Sequence, residues 1–206
     1  MSLRYALLAL IRVGPLSGYQ LQKEFSLSVG HVWHARDSQI YPELRRMEKD
    51  GLIEGEEQLR GKRGTRRIYH ITPQGEEDFL DWMGEPLDYQ RIREPAYLRA
   101  AYLESATPEQ ARTFFTAHIT EWERELAQWQ TELSHIEHRS NPMLRRRLEL
   151  SPEEEHEKIV AYKRFAYEGL IERALGEIAW AKRGLALVEE LDGPSENQSQ
   201  SAAITS

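Results

Sequence analysis

Residues 37–83 read DSQIYPELRRMEKDGLIEGEEQLRGKRGTRRIYHITPQGEEDFLDWM, and the periods within this stretch decide the fold. Ile40, Leu44 and Met47 fall at i, i+4 and i+7, a single apolar stripe of an amphipathic helix. The spacing predicts a helix with Ser38 as its N-cap, running to Lys49 and presenting Gln39, Arg45, Arg46 and Lys49 on the opposite face. Asp50-Gly51 supplies a residue suited to a left-handed C-cap. Leu52-Ile53 then opens a strand, and RIYHI at 67–71 reads as its return, with a glycine-bearing, basic tip between them. Thr72-Pro73 starts a further helix, a capping hydroxyl followed by proline at the first helical position. That helix carries Phe79, Leu80, Trp82 and Met83 before Gly84 and Pro86 end it.

Upstream, Leu3 to Val13 is almost wholly apolar and is stopped by Gly14-Pro15, the pattern of a largely buried helix. Ser17 serves as N-cap for a second helix over 18–26, and Val32-Trp33 anchor the turn after Gly30. Helix, helix, helix and hairpin make a winged helix-turn-helix of residues 1–84. The fold class is mainly α with a small β-hairpin. Residues 85–106 read as a linker and short helix, and 107–192 as a domain of long helices for dimerisation or effector sensing. In that domain Phe115, His118, Trp122, Leu126, Trp129, Leu133 and Ile136 recur at alternating spacings of three and four, a heptad-like seam. Asn141-Pro142 closes this helix, and Ser151-Pro152 opens another that continues to Leu191. The polar tail 193–206 has the composition of a disordered segment.

The chain of 206 residues carries a formal charge of −7, unevenly spread. Residues 1–75 hold 12 Lys and Arg against 8 Asp and Glu, whereas the remainder holds 15 against 26. A mildly basic front joined to an acidic back suits a nucleic-acid reader carried on an acidic dimerisation or sensing module. It also suits long helices kept soluble by their charge. With no cysteine there is no disulfide framework, thiol nucleophile or thiolate metal site. No apolar run reaches the ~18 residues that span a bilayer, so no membrane partner is expected and the cytoplasm is the expected location.

A helix packed by one stripe, with Gln39, Arg45, Arg46 and Lys49 outward, has the chemistry that reads base edges in a major groove. Charged outer faces are common, so the hairpin tip weighs more. Arg60, Lys62, Arg63, Arg66 and Arg67 fall within eight residues among Gly61 and Gly64, free of acids. Clustered cations neutralise phosphates, and glycine lets a backbone approach a groove. The hydroxyls of Tyr19 and Tyr41 could donate to phosphates, or their rings could simply pack with a wet hydroxyl.

The segments GPLSGYQL, DSQIYPELRRMEKDGLI and RRIYHITPQG, with the closing Trp82, resemble the PadR family of bacterial transcriptional regulators over residues 3–83. SQIYPEL, where other members have a GSLYP form, resembles the larger members with a virulence-activator-type C-terminal domain. The back half fits that pattern loosely through REPAYLRAAYLE and YKRFAYEGLIERALGEIAWAKRGLALVEEL. The resemblance implies a homodimer on double-stranded DNA, with wings on the backbone or minor groove and C-terminal helices exchanged between subunits. It implies contacts from Tyr19, Ser38, Gln39, Tyr41, Arg45, Arg46, Lys62, Arg63 and Arg66. It further implies repression more than activation, relieved in some members by phenolic or drug-like molecules.

Phe115, Trp122, Leu126, Trp129, Leu170 and Trp180, with Phe114 nearby, are candidates for a dimer interface or for the wall of an aromatic effector pocket. Apolar residues at helical spacing are more often core or interface. The pairs His31/His34 and His135/His138 lack a third ligand nearby, so no metal is expected. Glu153 to Glu155 complement a helix dipole. No nucleotide fingerprint and no nucleophile with a base partner occurs, so neither a cofactor nor catalysis is expected. The rival class is a protein-interaction module whose acidic helices hold a partner and whose winged helix no longer binds DNA specifically.

Overall fold

The computed structural model of the chain describes residues 2–26, 37–59, 65–87 and 93–192. The expected turn around Gly30 to Trp33, the hairpin tip with Lys62 and Arg63, and the tail 193–206 lie outside the described residues. The chain divides into two compact units: Met1–Tyr89 with Ile136–Ala161, and Gln90–His135 with Tyr162–Ser206. The stretch 107–192, expected as one helical domain, is thereby shared between the two units.

In the first unit, helix α1 (Ser2–Val13) leads into a two-residue strand β1 (Leu16–Ser17) and helix α2 (Gly18–Glu24). Ser17 caps α2 as its position predicts, and reciprocally: its hydroxyl accepts from Gln20 N–H, while Gln20 Oε1 accepts from Ser17 N–H at 3.0 Å. Helix α3 spans Asp37–Lys49. Asp37 is already helical, two positions before Gln39, where a helix capped by Ser38 would begin, so Ser38 sits in the first turn instead of at the cap. A cap is the flanking residue outside the helix, and both Asp37 and Ser38 lie inside it. Gly51, at φ 76°, turns the chain out of α3.

Strands β2 (Ile53–Leu59) and β3 (Thr65–Ile71) form the hairpin, and β3 is the centre of an antiparallel sheet ordered β1-β3-β2. Register pairs Leu16 with Tyr69, Ile53 with Ile71 and Glu57 with Arg67. Helix α4 (Pro73–Gly84) follows, its first turn capped by Thr72 Oγ1 accepting from Gly75 N–H at 3.0 Å. The same hydroxyl donates to the Gly51 carbonyl at 2.6 Å, tying the end of the hairpin to the end of α3.

The core of this unit is the apolar stripe of each element turned inward. Leu7, Leu8, Leu21, Ile40, Leu44 and Met47 are completely shielded, joined by Leu16, Phe25, Ile53 and Tyr69. Each such side chain contributes about 1.5–3 kcal/mol on burial. Helix α7 (Pro142–Glu149) completes the unit, although the sequence reading takes Asn141-Pro142 only as a stop. Asn141 Oδ1 accepts from Leu144 N–H at 2.9 Å, so the pair is a cap with proline behind it, the device already seen at Thr72-Pro73. Met143 then enters the core, and Arg146 donates to the Pro15 carbonyl at 3.0 Å.

The second unit is helical: α5 (Pro95–Ala100), a 3-10 turn at Leu103–Ser105, and most of α6 (Pro108–Glu137) and α8 (His156–Asp192). The expected opening at Ser151-Pro152 is realised as a 3-10 turn, Glu153–Glu155, with α8 starting behind it. In this unit the seam of α6 faces α8. The Phe115 ring meets Trp180 edge-on at 5.6 Å and lies so close to Gly184 that an added Cβ there would sit 2.3 Å from the ring. Beside it His118 Nε2 is 3.1 Å from Glu177 Oε2, a pair almost removed from solvent. Among the described residues, no helix is long and apolar enough to cross a membrane.

Candidate nucleic-acid interface

Because Ile40, Leu44 and Met47 point inward, Ser38, Gln39, Arg45, Arg46 and Lys49 are left exposed on the far side of α3. This is the arrangement a reading helix requires: rigid backing and mobile polar ends. Arg46 leans on Glu43 at 3.4 Å, and Glu43 is itself held by Arg4 of α1 at 3.3 Å. Pro42 lies within the helix and brings no N–H for the Ser38 carbonyl one turn back.

Tyr19 of α2 is 71% exposed and Tyr41 of α3 is 41% exposed. The two rings line one depression of about 390 Å³ together with Ser17, Gly18, Gln20, Arg66, Arg67 and Tyr69. Gly18 makes this possible, since a Cβ there would stand 2.7 Å from the Tyr41 ring. Two phenols and two guanidiniums therefore converge where α2, α3 and the hairpin meet. Tyr69 forms the floor, and burial raises its pKa above the ordinary phenol value, with the Glu48 charge adding to the rise. A neutral floor beneath cationic walls is suited to a phosphate oxygen.

The two arginines of β3 differ. Arg66 donates to the neutral amide oxygen of Gln58 at 2.9 Å and is exposed. Arg67 is paired with Glu48 of α3 at 2.5 Å, and that hydrogen bond raises its pKa. Of the residues singled out for DNA contact, the fold brings Tyr19, Tyr41 and Arg66 around one depression. It sets Ser38, Gln39, Arg45 and Arg46 on the exposed side of α3, while Lys62 and Arg63 lie outside the described residues. Gly18, Glu48 and Gly55 were not singled out. The only sequence signal for them is a glycine next to a tyrosine and a glycine set among glutamates.

In the second unit a cleft of about 530 Å³ opens beside α8. Phe115 and Trp180 line it, with Leu103, Ala111, Leu187 and Val188 as further apolar wall and Arg183 among its polar residues. Trp122, Leu126, Trp129 and Leu170 do not line it. Trp122 and Trp129 instead meet each other edge-on at 6.3 Å, and Trp129 is buried. Of the histidines weighed above, His31 and His34 lie outside the described residues, and His135 is 3.5 Å from Glu132.

Three helices, a three-stranded sheet with an extended hairpin, and an exposed basic face on the third helix define a winged-helix DNA-binding protein. Residues 7–80 match the family described as "Transcriptional regulator PadR-like family". The chain is 27% identical over 143 residues to the "Negative transcriptional regulator PadR" of Bacillus subtilis, covering 68% of this chain and 78% of that one. The fold matches the crystal structure of Bacillus subtilis PadR in complex with operator DNA, with a TM-score of 0.69 and 25% identity over 91% of this chain and 99% of that one. It matches the same protein in complex with p-coumaric acid at 0.65 and 26%, over 91% and 95% of the two chains. The Vibrio cholerae virulence activator AphA shares the fold at a TM-score of 0.68 and 21% identity, over 92% and 99%. The chain carries a PadR-like family domain and is a DNA-binding transcriptional regulator, and the relatives it matches are regulators, not enzymes.

Proposed function

We propose that the protein acts in the cytoplasm as a homodimeric repressor that recognises an inverted-repeat operator and is released from it by a small aromatic molecule. The observation that carries the DNA part is the convergence of Tyr19, Tyr41 and Arg66 on one depression beside the exposed basic face of α3. In this reading α3 lies in the major groove, with Ser38, Gln39, Arg45 and Arg46 toward base edges and phosphates. The depression grips the backbone, and the hairpin with Lys62 and Arg63 reaches the flanking groove. Two copies place two such helices on half-sites about one helical turn, ~34–36 Å, or a multiple of it apart. Repression is favoured by the similarity to a negative regulator, and the aromatic effector by that regulator's complex with p-coumaric acid. The cleft lined by Phe115 and Trp180 has the size and apolar lining of a small-molecule site.

The test is a salt-titrated binding assay with duplex from the region upstream of the protein's own coding sequence, against a scrambled duplex. The expected result is tight binding that prefers the native duplex and weakens steeply with salt. Arg66→Ala lowers affinity for both duplexes and flattens the salt slope by about one phosphate, whereas Gln39→Ala changes the preference between sequences. Equal binding to both duplexes, at the roughly 10⁻⁴–10⁻⁶ M of nonspecific contact, would overturn the proposal. Titrating p-coumaric acid into the bound complex tests the effector, and undiminished occupancy of the duplex at saturating acid rejects it.

A further inference from the structure

The hairpin of the winged helix leaves the core almost at once. Along β2 only Ile53 is buried and Gly55 half-buried, and the residues from Glu56 to Leu59 are exposed; across from them Thr65, Arg66 and Arg67 are exposed as well. Apolar packing therefore fixes the base of the hairpin and cannot aim its outer half. One polar contact lies at the point where that packing ends. Glu48, in the last turn of α3, accepts from the Gly55 backbone N–H at 3.0 Å and from Arg67 Nη2 at 2.5 Å, both on Oε1. Gly55 belongs to β2 and Arg67 to β3, so a single carboxylate oxygen binds both strands to the recognition helix. Gly55 is needed for the contact, because a Cβ there would stand 2.2 Å from Arg67 Nε and 2.7 Å from Glu48 Oε1. The three residues, each on a different element, form one tether.

The geometry points to Glu48 as a positioning residue for DNA binding: through Gly55 N–H and Arg67 it fixes the angle between the recognition helix and the wing. Arg67 is then a structural partner, its charge committed to Glu48, and Arg66 beside it is the cation carried toward phosphate. This assignment rests on the DNA-binding reading above and makes a prediction of unusual sign. Removing an acid from a DNA-facing surface ordinarily tightens binding, because it removes repulsion from phosphate. Removing Glu48 should loosen it, because a wing free to swing must be ordered at each binding event.

The experiment compares wild type, Glu48→Met, Arg67→Met and the double variant, each binding native and scrambled duplex across a salt series. Hydrogen exchange of the β2 and β3 amides is followed in the free proteins. Glu48→Met, which removes the acceptor of both bonds, should weaken native-duplex binding about tenfold and speed exchange at Gly55. Arg67→Met cuts only the β3 arm and should weaken binding less, and the double variant should be little worse than Glu48→Met alone, since that substitution already cuts both arms. Melting temperatures report whether any variant has lost the fold, and the exchange pattern at the core of α1 reports the same independently. If Glu48→Met binds as well as wild type or tighter while Arg67→Met binds worse, Arg67 touches phosphate directly and the positioning role is wrong. If wild type itself prefers no duplex, the DNA reading fails and this assignment falls with it.

Discussion

In the first unit Leu7, Leu8, Leu21, Ile40, Leu44 and Met47 show no exposure at all, and the functional candidates stand outside that core on α2, α3 and the hairpin. In the second unit, α8 buries Tyr167, Ala174, Ile178 and Ala181 yet leaves Tyr162, Phe165, Leu187 and Leu191 between 52% and 77% exposed. All of the largest fully buried side chains among the described residues belong to the first unit. The second unit has instead a largely shielded His118–Glu177 pair among aromatic rings. The first unit closes its own core, as a rigid reading head must. The second leaves several large apolar side chains of α8 in solvent, a surface of the kind that partners cover. The proposed homodimer would supply that cover.

Paired truncations separate the two units most directly. Leu44→Ala should cost about 3 kcal/mol, with loss of DNA binding, because a buried leucine leaves both a lost transfer term and a cavity. Leu187→Ala should cost about 0.5 kcal/mol or less in the isolated chain, since half of that side chain is already in water. Equal losses in thermal unfolding would mean the second unit has a closed core after all.

A smaller effect sharpens the picture of the second unit. Burial, with the Glu132 charge adding, pushes the Tyr167 phenol up to about 12. The unfolded phenol ionises near 10, so the stability Tyr167 confers is fully present below pH ~10 and is lost as pH rises toward 12. The loss approaches about 3 kcal/mol once the phenol is fully ionised, roughly half of it by pH 11, and Tyr167→Phe, which keeps the ring and has no proton to release, should remove it. Denaturant midpoints at pH 8 and 11 check this; an unchanged wild-type-to-variant difference between the two would show that Tyr167 ionises as freely folded as unfolded.

Smallest is the cap at the hairpin's end. Thr72→Val removes the acceptor for Gly75 N–H and the donor to Gly51, and should cost about 1 kcal/mol in the first unit. The tryptophan fluorescence of the second unit should not change. A coupled change there would show that the two units do not respond separately.

Much of the first unit is legible in the chain because its signals are local. The stripe Ile40, Leu44, Met47, the caps at Ser17 and Thr72, and the glycine at 51 each declare themselves within a few residues. Strand β1 is not legible, since two residues carry no period and exist as a strand only because β3 lies alongside. Helix α7 is half legible: Asn141-Pro142 signals a boundary, but one residue pair marks an end and a beginning equally well. The seam of α6 is legible as an apolar face, while its partner is not. Phe115 meets Trp180 and Gly184 of the same chain, and nothing in a heptad pattern says which helix will fill it.

The winged helix-turn-helix, the buried face of α3 and the cations of the hairpin are written in the chain, because periodicity, capping and charge are properties of neighbouring residues. That Tyr19, Tyr41 and Arg66 share one depression, that Arg67 is committed to Glu48, and that Met143 belongs to the N-terminal core emerges from folding alone. Those pairings join residues from 19 to more than 100 positions apart. Their partners are selected by shape and charge at contact, and a linear pattern does not encode which contacts will form.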